Sequence, residues 1–498
     1  MVGSYLIAFL AALAFRLAIV RLPRTLRAFL DPGPWGDALA YFLQIQHYRN
    51  RCGSEPDPRC LFRGRILHTP SYYHRFVCGL FPDRVIWSRP WLPNLLLYAV
   101  ATAGFFTLAA MSLRVAGAAV VGLATLLLVA QADSSQLDNQ SVHYLTIQPR
   151  LLGAMTLSLH ALLFIVMPSV PITVALGSLL IFVALNTSVF SRQVAYFVLP
   201  LSALLAWNTV PLIDLIAGTL LSLLFNREEF AESFLAHLRY ATWYFRNFYE
   251  TRPGSGIEYW VRRSFAPAIR YLPRYADSLI ALALLLTLLA RGEDDFARRA
   301  AAVIGGALIV CGVTALRRFA SLGECWRYLS FSLYFAVPLA IVHAVLRLGV
   351  PLGLVFALAA MELLWNLAMT LRGDGKLTNP IAEITALLSS MAETQSRTSV
   401  WWSAHFRYGS IPVALGWGGS TFEIQGTDMS EEVMAQLFVR YPYLQYDEDF
   451  LEAHRVTHLL ISKAEWPRNL YGSMEVFVGA HRVLAESDNY VILARNSI

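Results

Sequence analysis

An aspartate in the first long polar stretch of the chain is the residue most able to do chemistry. Asp37 follows the sequence PWG and precedes an apolar run from Ala38 to Ile45. This order predicts a helix that begins at Asp37 and lies near a membrane surface. A carboxylate in that position can accept the proton of an incoming hydroxyl group. The alternative is an ordinary N-cap, whose carboxylate only accepts hydrogen bonds from backbone N–H groups.

Two further polar stretches carry cations that suit a phosphate group. Residues 131–150 end in Arg150, and residues 317–332 contain Glu324 and Arg327, which share a face if a helix begins there. The planar fork of an arginine matches a phosphate better than a lysine does. We therefore predict that Arg327 and Arg150 bind a donor phosphate. The residues predicted to support this site are Glu324, Asp138, His143, Tyr72 and His74. The alternative for each is ordinary loop solvation or an intramembrane salt bridge.

The composition shows which kind of protein must position these residues. Of the 498 residues, 56% are hydrophobic and 15% are charged, and the mean hydropathy is +0.49. This composition excludes a soluble protein of this length and is typical of a polytopic α-helical membrane protein. The formal net charge of +6 comes more from arginine than from lysine and is spread over loops. That pattern argues against nucleic acid as a partner and suits membrane lipids or phosphate-bearing substrates.

About eleven apolar stretches are long enough, or nearly so, to cross ~30 Å of hydrocarbon. The predicted spans are 2–20, 92–112, 115–131, 151–167, 170–186, 193–207, 209–225, 277–290, 300–316, 329–346 and 350–371. The first is interpreted as a retained span, because no small-residue cleavage site follows it. No internal repeat is evident.

Arginine-rich short connections indicate the orientation of the chain. Arg114, residues 291–299 and Arg347 would share one side, which the positive-inside rule makes cytoplasmic. The N-terminus is then cytoplasmic, and the three polar stretches and the C-terminus face the extracytoplasmic side. Three arginines between positions 21 and 27 oppose this assignment, although long loops are largely exempt from the rule.

Residues 226–276 and the first loop carry two further patterns. Aromatic and charged residues alternate through 226–276, which predicts helices lying in the membrane interface. The aromatics interpreted as a membrane belt are Trp243, Tyr244, Phe248, Tyr259 and Trp260. In the first loop, Cys52 and Cys60 either pair in an oxidising compartment or remain free thiols, and Cys78 is a competing partner.

The character of the chain changes after residue 371. Residues 1–371 are predicted to form the transmembrane module, with residues 21–91 as its first extracytoplasmic loop. Residues 372–498 are predicted to form a small C-terminal α/β domain outside the membrane. Strand-like runs at 457–462 and 490–493 and the helix-like DEDFLEAHR before the first of them support this interpretation.

Several short motifs together resemble the GT-C superfamily of membrane glycosyltransferases. They are GDALAY, HTPSYYHRF, the polar second outer loop, GECWRYLSFS and the α/β tail. The resemblance implies a polyprenyl-phosphate-linked sugar donor, as used by protein O-mannosyltransferases, arabinosyltransferases, oligosaccharyltransferases and the aminoarabinose transferase of lipid A. It also implies that Asp37 is the catalytic aspartate of a first loop containing a short amphipathic helix, and that Arg327, with Glu324, lies beside the donor phosphate.

This sequence departs from the family pattern at three places. Asp37 has no acidic neighbour, so the paired acidic signature of several branches is incomplete. Trp401-Trp402 is similar to the tryptophan pair of oligosaccharyltransferases, but Ser-Ala-His follows in place of Asp-Tyr-Gly. Asp138-Asn139-Gln140 matches only part of a second acidic motif, so a divalent metal, Mg²⁺ or Mn²⁺, is left open and no metal ligands are assigned.

The leading hypothesis is an inverting glycosyltransferase of the bacterial inner membrane and cell envelope, with Asp37 as general base. It would transfer a hexose or pentose to a hydroxyl of a glycan, lipid or protein acceptor, while residues 226–276 guide the prenyl tail. One alternative is an O-antigen polymerase or ligase acting on lipid-linked glycans. Another is a lipid or solute transporter, disfavoured because no repeat is found and the charged residues fall at span ends.

Overall fold

The computed structural model describes most of the chain. The described residues are 2–20, 37–50, 70–113, 118–134, 147–167, 171–244, 281–290, 293–315, 319, 322, 326–372, 380–391, 399–422, 435–440 and 443–495.

Helices make up the described part of the first 372 residues. They are α1 Val2–Val20, α2 Asp37–Asn50, α3 Tyr72–Leu80, α4 Asp83–Ser88, α5 Leu92–Leu113, α6 Ala118–Ser134, α7 Pro149–Val166, α8 Pro171–Leu185, α9 Val189–Ala206, α10 Val210–Phe225, α11 Arg227–Tyr244, α12 Ala281–Ala290, α13 Asp295–Ala315, α14 Trp326–Leu333, α15 Ala336–Arg347 and α16 Leu352–Arg372. Four of those described, α5, α7, α9 and α13, are long and apolar enough to cross a membrane. The number becomes six if each of two bent pairs, α10 with α11 and α14 with α15, is one span. A polytopic helical protein is confirmed, and the number eleven stays a prediction.

The chain bends sharply at two places, at the start of residues 226–276 and within the span predicted at 329–346. Helix α11 leaves α10 at 116°, so this first part of residues 226–276 does not continue the span, as the interface prediction requires. Side-chain amides hold the corner, where Asn226 Nδ2 donates to Asn186 Oδ1 at 3.0 Å. The span predicted at 329–346 is broken into α14 and α15, which meet at 64°. Pro338 explains this break, because in a continuous helix its ring would clash with the carbonyl of residue 334.

Contacts at the ends of α7 define two opposite ends of the helical module. Arg150 lies at the start of α7, whereas the carbonyl of Ile165, at its other end, accepts a hydrogen bond from Arg299 Nε at 3.0 Å. His343 of α15 lies 3.1 Å from Asp294, in the connection that precedes α13. Residues 294–299 and His343, one turn before Arg347, therefore lie at the same end of the module, as predicted. Arg114, the third member of that prediction, lies outside the described residues. The assignment of that side to the cytoplasm stays a prediction.

Helix α2 packs between the helical module and the C-terminal domain. Its residues from Ala38 to Ile45 are all buried, in two hydrophobic clusters. Ala38, Phe42 and Ile45 pack with residues of α3, α4 and α5, whereas Leu39 and Leu43 pack with the C-terminal domain. The expectation of an amphipathic helix is therefore wrong for α2, because protein covers both of its faces. Its location near the membrane surface stays a prediction.

The C-terminal domain is built around a mixed sheet. Its elements are α17 Ile381–Ser390, β1 Val400–Trp402, α18 Phe406–Ala414, β2 Ser420–Thr421, β3 Phe438–Arg440, β4 Tyr443–Leu444, α19 Glu448–Ala453, β5 His458–Ser462, α20 Arg468–Tyr471, α21 Met474–Gly479, β6 Arg482–Glu486 and β7 Tyr490–Ala494. The five-stranded sheet has the order β2-β1-β5-β7-β6, with β1 parallel to β2 and β5, and with β7 antiparallel to β5 and β6. The predicted strands at 457–462 and 490–493 are thus β5 and β7, and the predicted helix contains α19.

Neighbouring side chains of β1 face opposite sides of this sheet. Trp402 packs into the cluster on one side, and Trp401 packs into the cluster that also holds Leu39 and Leu43 of α2. The indole N–H of Trp401 donates to the carbonyl of Trp417 at 3.1 Å, and that of Trp402 donates to the carbonyl of Gln445 at 2.9 Å. The tryptophan pair is therefore core of the domain, which agrees with the incomplete peptide-acceptor motif.

Candidate functional site

The two arginines predicted to bind phosphate meet at one aromatic ring. The guanidinium carbon of Arg327 lies 3.6 Å from the ring centroid of Phe190, and that of Arg150 lies 4.9 Å from it. The two guanidinium carbons therefore cannot be farther apart than the sum of these distances. Arg327 is 8% exposed, and Arg150 is half-buried. This geometry concentrates two positive charges that come from distant parts of the sequence.

Three helix beginnings bring these residues together. Arg150 is in the first turn of α7, which has Pro149 at its first position, where a proline sacrifices no helical hydrogen bond. Phe190 is in the first turn of α9, and its N–H donates to Oγ of the capping residue Ser188 at 3.3 Å. Arg327 is in the first turn of α14. Unpaired N–H groups at helix beginnings favour anions, so this end of the module suits a negatively charged ligand.

A buried hydrogen-bond network ties the first loop to the same place. The hydroxyl of Tyr73 donates to Asn94 Oδ1 at 2.7 Å and accepts from the backbone N–H of Gln148 at 2.8 Å. Tyr73, Ala38 and Ile147 also belong to one hydrophobic cluster. Helix α2 begins at Asp37, as predicted, and its second residue therefore packs in the same cluster as the segment leading into Arg150.

The predicted supporting residue His74 lies in an aromatic cage between α2 and α3. Its ring is fully buried and lies 5.6, 6.0 and 5.8 Å from the rings of Tyr41, Tyr48 and Tyr73. Burial lowers the pKa of His74 to about 3, although an interaction with the backbone of Pro70 opposes this shift. His74 is therefore neutral at physiological pH, and it contacts the helix that carries Asp37.

The predicted supporting residue Tyr72 faces a different neighbour. Its backbone N–H donates to the carbonyl of Asn186 at 3.0 Å, and its ring packs edge-on to Phe182 at 5.4 Å. Tyr72 thus fastens α3 to the turn between α8 and α9. The two tyrosines at the start of α3 therefore have separate contacts, Tyr73 with α5 and α7 and Tyr72 with α8.

Other predicted residues lie outside the described part. The side chain of Asp37 and the whole of Asp138, His143 and Glu324 are outside it, as are the proposed disulfide partners Cys52 and Cys60. Cys78 is a free thiol. Among the described residues no group of three His, Cys, Asp or Glu side chains could hold a metal ion, and the question of Mg²⁺ or Mn²⁺ stays a prediction.

A buried ionisable pair inside the helical module was not predicted from the sequence. His160 Nε2 lies 2.8 Å from Asp214 Oδ2, and Ser178 Oγ donates to Asp214 Oδ1 at 3.2 Å. His160 lines a cavity of about 10 Å³, which is about the volume that one buried water molecule needs. His160 and Asp214 are exceptions to the expected placement of charged residues at span ends. An ionisable residue inside an apolar stretch was the signal that could have found them.

Comparisons with known proteins return structural similarity alone. No protein-family model matches the chain, and no curated protein sequence does so. The crystal structure of ArnT from Cupriavidus metallidurans in the apo state is similar, with 13% identity, a TM-score of 0.41 and coverage of 97% of this chain and 98% of that chain. ArnT from the same organism bound to undecaprenyl phosphate is similar with 13% identity, a TM-score of 0.37 and coverage of 92% and 97%.

Proposed function

We propose that this chain is an integral-membrane glycosyltransferase that moves a sugar from a polyprenyl-phosphate carrier to a hydroxyl acceptor on the extracytoplasmic face. The observation that carries the proposal is the meeting of Arg150 and Arg327 at the ring of Phe190. A guanidinium is planar, and contact with an aromatic ring fixes its orientation. Its N–H groups then point in directions that suit the oxygens of a phosphate. Two such groups at helix beginnings favour a doubly charged phosphate over a neutral ligand.

The proposed reaction is a single in-line displacement. The acceptor oxygen forms a bond to the anomeric carbon while the bond from that carbon to the phosphate oxygen breaks, which inverts the configuration. Asp37 takes the proton of the acceptor hydroxyl. Arg327 and Arg150 stabilise the negative charge that develops on the departing polyprenyl phosphate.

The location of α2 supports the role of Asp37. Ala38, the residue after Asp37, packs in the cluster that contains Ile147, and Tyr73 links α3 to Gln148. The start of α2 therefore packs in the same cluster as the segment that leads into Arg150. Helix α11 supports the role given to residues 226–276, because it turns away from the span direction and exposes Leu235 and Leu238, as a path for a prenyl chain requires.

Donor consumption tests the proposal directly. The purified full chain is supplied with undecaprenyl phosphate carrying labelled glucose, mannose, galactose or arabinose, together with a bacterial envelope fraction as the source of acceptor. We expect release of undecaprenyl phosphate and transfer of label from at least one donor. Asp37→Asn should reduce the rate by at least ~10²-fold, the usual contribution of a general base.

A second aspartate of the same loop provides the control. Asp83 forms an ion pair with Arg49 at 3.2 Å, at the end of α2 opposite Asp37. We expect Asp83→Asn to keep the rate within about twofold, as is usual for a substitution outside a site. If Asp37→Asn also kept the rate within a few fold, Asp37 would not be the base. If the unmodified chain consumed no donor, the transferase proposal would be wrong.

A transporter is the second candidate because of one observation. The buried His160–Asp214 pair lies inside the helical module, where ionisable residues often mark a proton or solute path. A transporter would acidify or alkalinise the lumen of proteoliposomes when a solute gradient is applied, without consuming any lipid-linked donor.

A further inference from the structure

A second polar cluster lies between helix α11 and the beginning of α9, the helix that also carries Phe190. Its members are Arg192, Glu229 and His237, with Gln193 and Arg75 bonded to them. Glu229 and His237 lie on one face of α11, because they are separated by two helical turns. Arg192 interacts electrostatically with both of them. The cluster is thus one connected group, and the proposed transfer reaction does not use it.

Arg192 supplies hydrogen-bond donors that have no partner. Its side chain is 2% exposed. Its Nε donates to the carbonyl of Leu185 at 2.5 Å, and its guanidinium carbon lies 4.6 Å from the ring centroid of Phe230. Its Nη1 and Nη2 are buried and make no hydrogen bond to any of the described residues. These contacts fix the plane of the guanidinium and leave its outer edge unsatisfied.

Glu229 and His237 supply the complementary groups. Glu229 is 5% exposed, and its Oε2 accepts from Arg75 at 2.7 Å. His237 Nε2 lies 3.0 Å from Gln193 Nε2. Within the part of the chain that the structure describes, Glu229 Oε1 and His237 Nδ1 have no hydrogen-bond partner. Buried polar atoms are almost always hydrogen-bonded in native proteins. Several unsatisfied atoms in one cluster therefore indicate a missing ligand.

Charge and hydrogen-bond type identify the class of this ligand. Arg192 offers N–H donors, whereas Glu229 Oε1 offers an acceptor, and an ionised phosphate or carboxylate accepts hydrogen bonds but cannot donate one to Glu229. A hydroxyl group both donates and accepts, and it can bridge a guanidinium N–H and a carboxylate oxygen. Neighbouring hydroxyls of a sugar ring provide several such bridges without adding charge.

We propose that Arg192, Glu229 and His237 form a subsite that binds the hydroxyl groups of a neutral sugar ring. This inference rests on the proposed transferase function, and the ring belongs to the donor or to the acceptor. Because these groups are buried, a ring could reach them only if α11 moved away from α9.

Binding to carriers with and without sugar provides the first test. The full chain is kept in a detergent without a sugar head group, and its affinity is measured by native mass spectrometry. The probes are bare undecaprenyl phosphate and the same lipid carrying glucose, mannose, galactose or arabinose. If the ring is that of the donor, the unmodified chain should bind one glycosylated carrier roughly ten- to a hundredfold more tightly than the bare carrier, as hydrogen bonds to charged groups predict. Arg192→Gln and Glu229→Gln should bring this ratio close to one and leave the affinity for the bare carrier unchanged.

Binding of methyl glycosides of the same four sugars provides the second test. If the ring is that of the acceptor, the carrier ratio is unchanged in the variants, but the unmodified chain binds a methyl glycoside and the variants lose this binding. Glu228→Gln is the matched control, because Glu228 is the exposed neighbour of Glu229. His237→Asn provides a further variant that leaves the Arg75–Glu229 ion pair intact, in case Glu229→Gln unfolds.

Two results would overturn the subsite. In the first, the variants bind bare and glycosylated carriers equally weakly, which would make Arg192 a phosphate ligand. In the second, neither test separates the variants from the unmodified chain, and the buried atoms bond only to water. If the unmodified chain bound no carrier at all, the transferase proposal would fail, and the glycoside test alone would decide whether the subsite exists.

Discussion

Replacing Arg327 by glutamine, Arg327→Gln, tests whether the arginine pair at Phe190 binds a lipid phosphate. The guanidinium of Arg327 lies closer to the ring than that of Arg150, at 3.6 Å against 4.9 Å, and it is the more buried of the two. Both differences strengthen an electrostatic interaction with a ligand bound beside the ring, because less water screens the charge. We therefore expect Arg327→Gln to weaken binding more than Arg150→Gln does.

The size of the effect follows from the distances involved. Two unit charges 4 Å apart interact by about 4 kcal/mol at an effective dielectric constant of about 20. Removing one partner of a buried charge pair costs about 2–5 kcal/mol in measured complexes. Arg327→Gln should therefore reduce affinity for undecaprenyl phosphate roughly a hundredfold, or about 2.7 kcal/mol. For the half-buried Arg150, screening reduces the expected loss to about tenfold, or about 1.4 kcal/mol.

The assay is direct binding of bare undecaprenyl phosphate to the full chain, repeated at low and high salt. Arg298→Gln is the matched control, because Arg298 has a side chain that is 60% exposed and lies at the opposite end of the module, beside the end of α7. It should leave the affinity unchanged. Equal losses in Arg298→Gln and Arg327→Gln would mean that only net charge matters. No loss in Arg327→Gln would refute the assignment of the phosphate to this ring.

Two further predictions concern stability. Asp214→Ala should lower the free energy of unfolding by about 3–5 kcal/mol, because it leaves His160 buried without its partner, whereas replacing both residues by leucine should restore most of the lost stability. Thermal unfolding of the detergent-solubilised chain measures both effects. If the single variant were as stable as the unmodified chain, His160 and Asp214 would not stabilise each other. Burial and the charge of Arg407 lower the pKa of His405 to about 4 from 6.5, so between these pH values the unfolded chain binds a proton that the folded domain does not. Stability should therefore fall as the pH falls from 6.5 to 4 and then level off for this residue. In His405→Asn this part of the loss should disappear, and an unchanged pH profile would contradict the argument.

Features set by neighbouring residues were predicted well from the sequence. The start of α2 at Asp37 depends on a local cap and an apolar run, and β5 and β7 depend on short β-branched runs. The burial of α2 was not predictable in this way, because its second apolar face packs in a cluster with residues such as Leu460 and Ile411 of a domain at the far end of the chain. A pattern that is apolar on every side does not say which partners cover it.

The candidate site was predictable by residue type but not by arrangement. Arg150 and Arg327 were found because arginines at span ends are conspicuous, whereas Phe190 was missed because a phenylalanine in an apolar helix carries no local signal. Arg192 was missed because the span was predicted to begin one residue after it. The break between α14 and α15 was detectable at Pro338, but averaging hydropathy over the whole stretch hides a local bend.

The packing of α2 against the C-terminal domain has a consequence for the order in which the protein assembles. Leu43 and Ile411 belong to one cluster, although most of the chain separates them in sequence. Contacts of such long range form late, because the intervening chain must first be closed into a loop. During synthesis the helix that begins at Asp37 is in place long before the surface that covers it exists. The last part of the chain to be made therefore completes the packing of α2, so we expect a protein truncated before this domain to leave Leu39 and Leu43 uncovered.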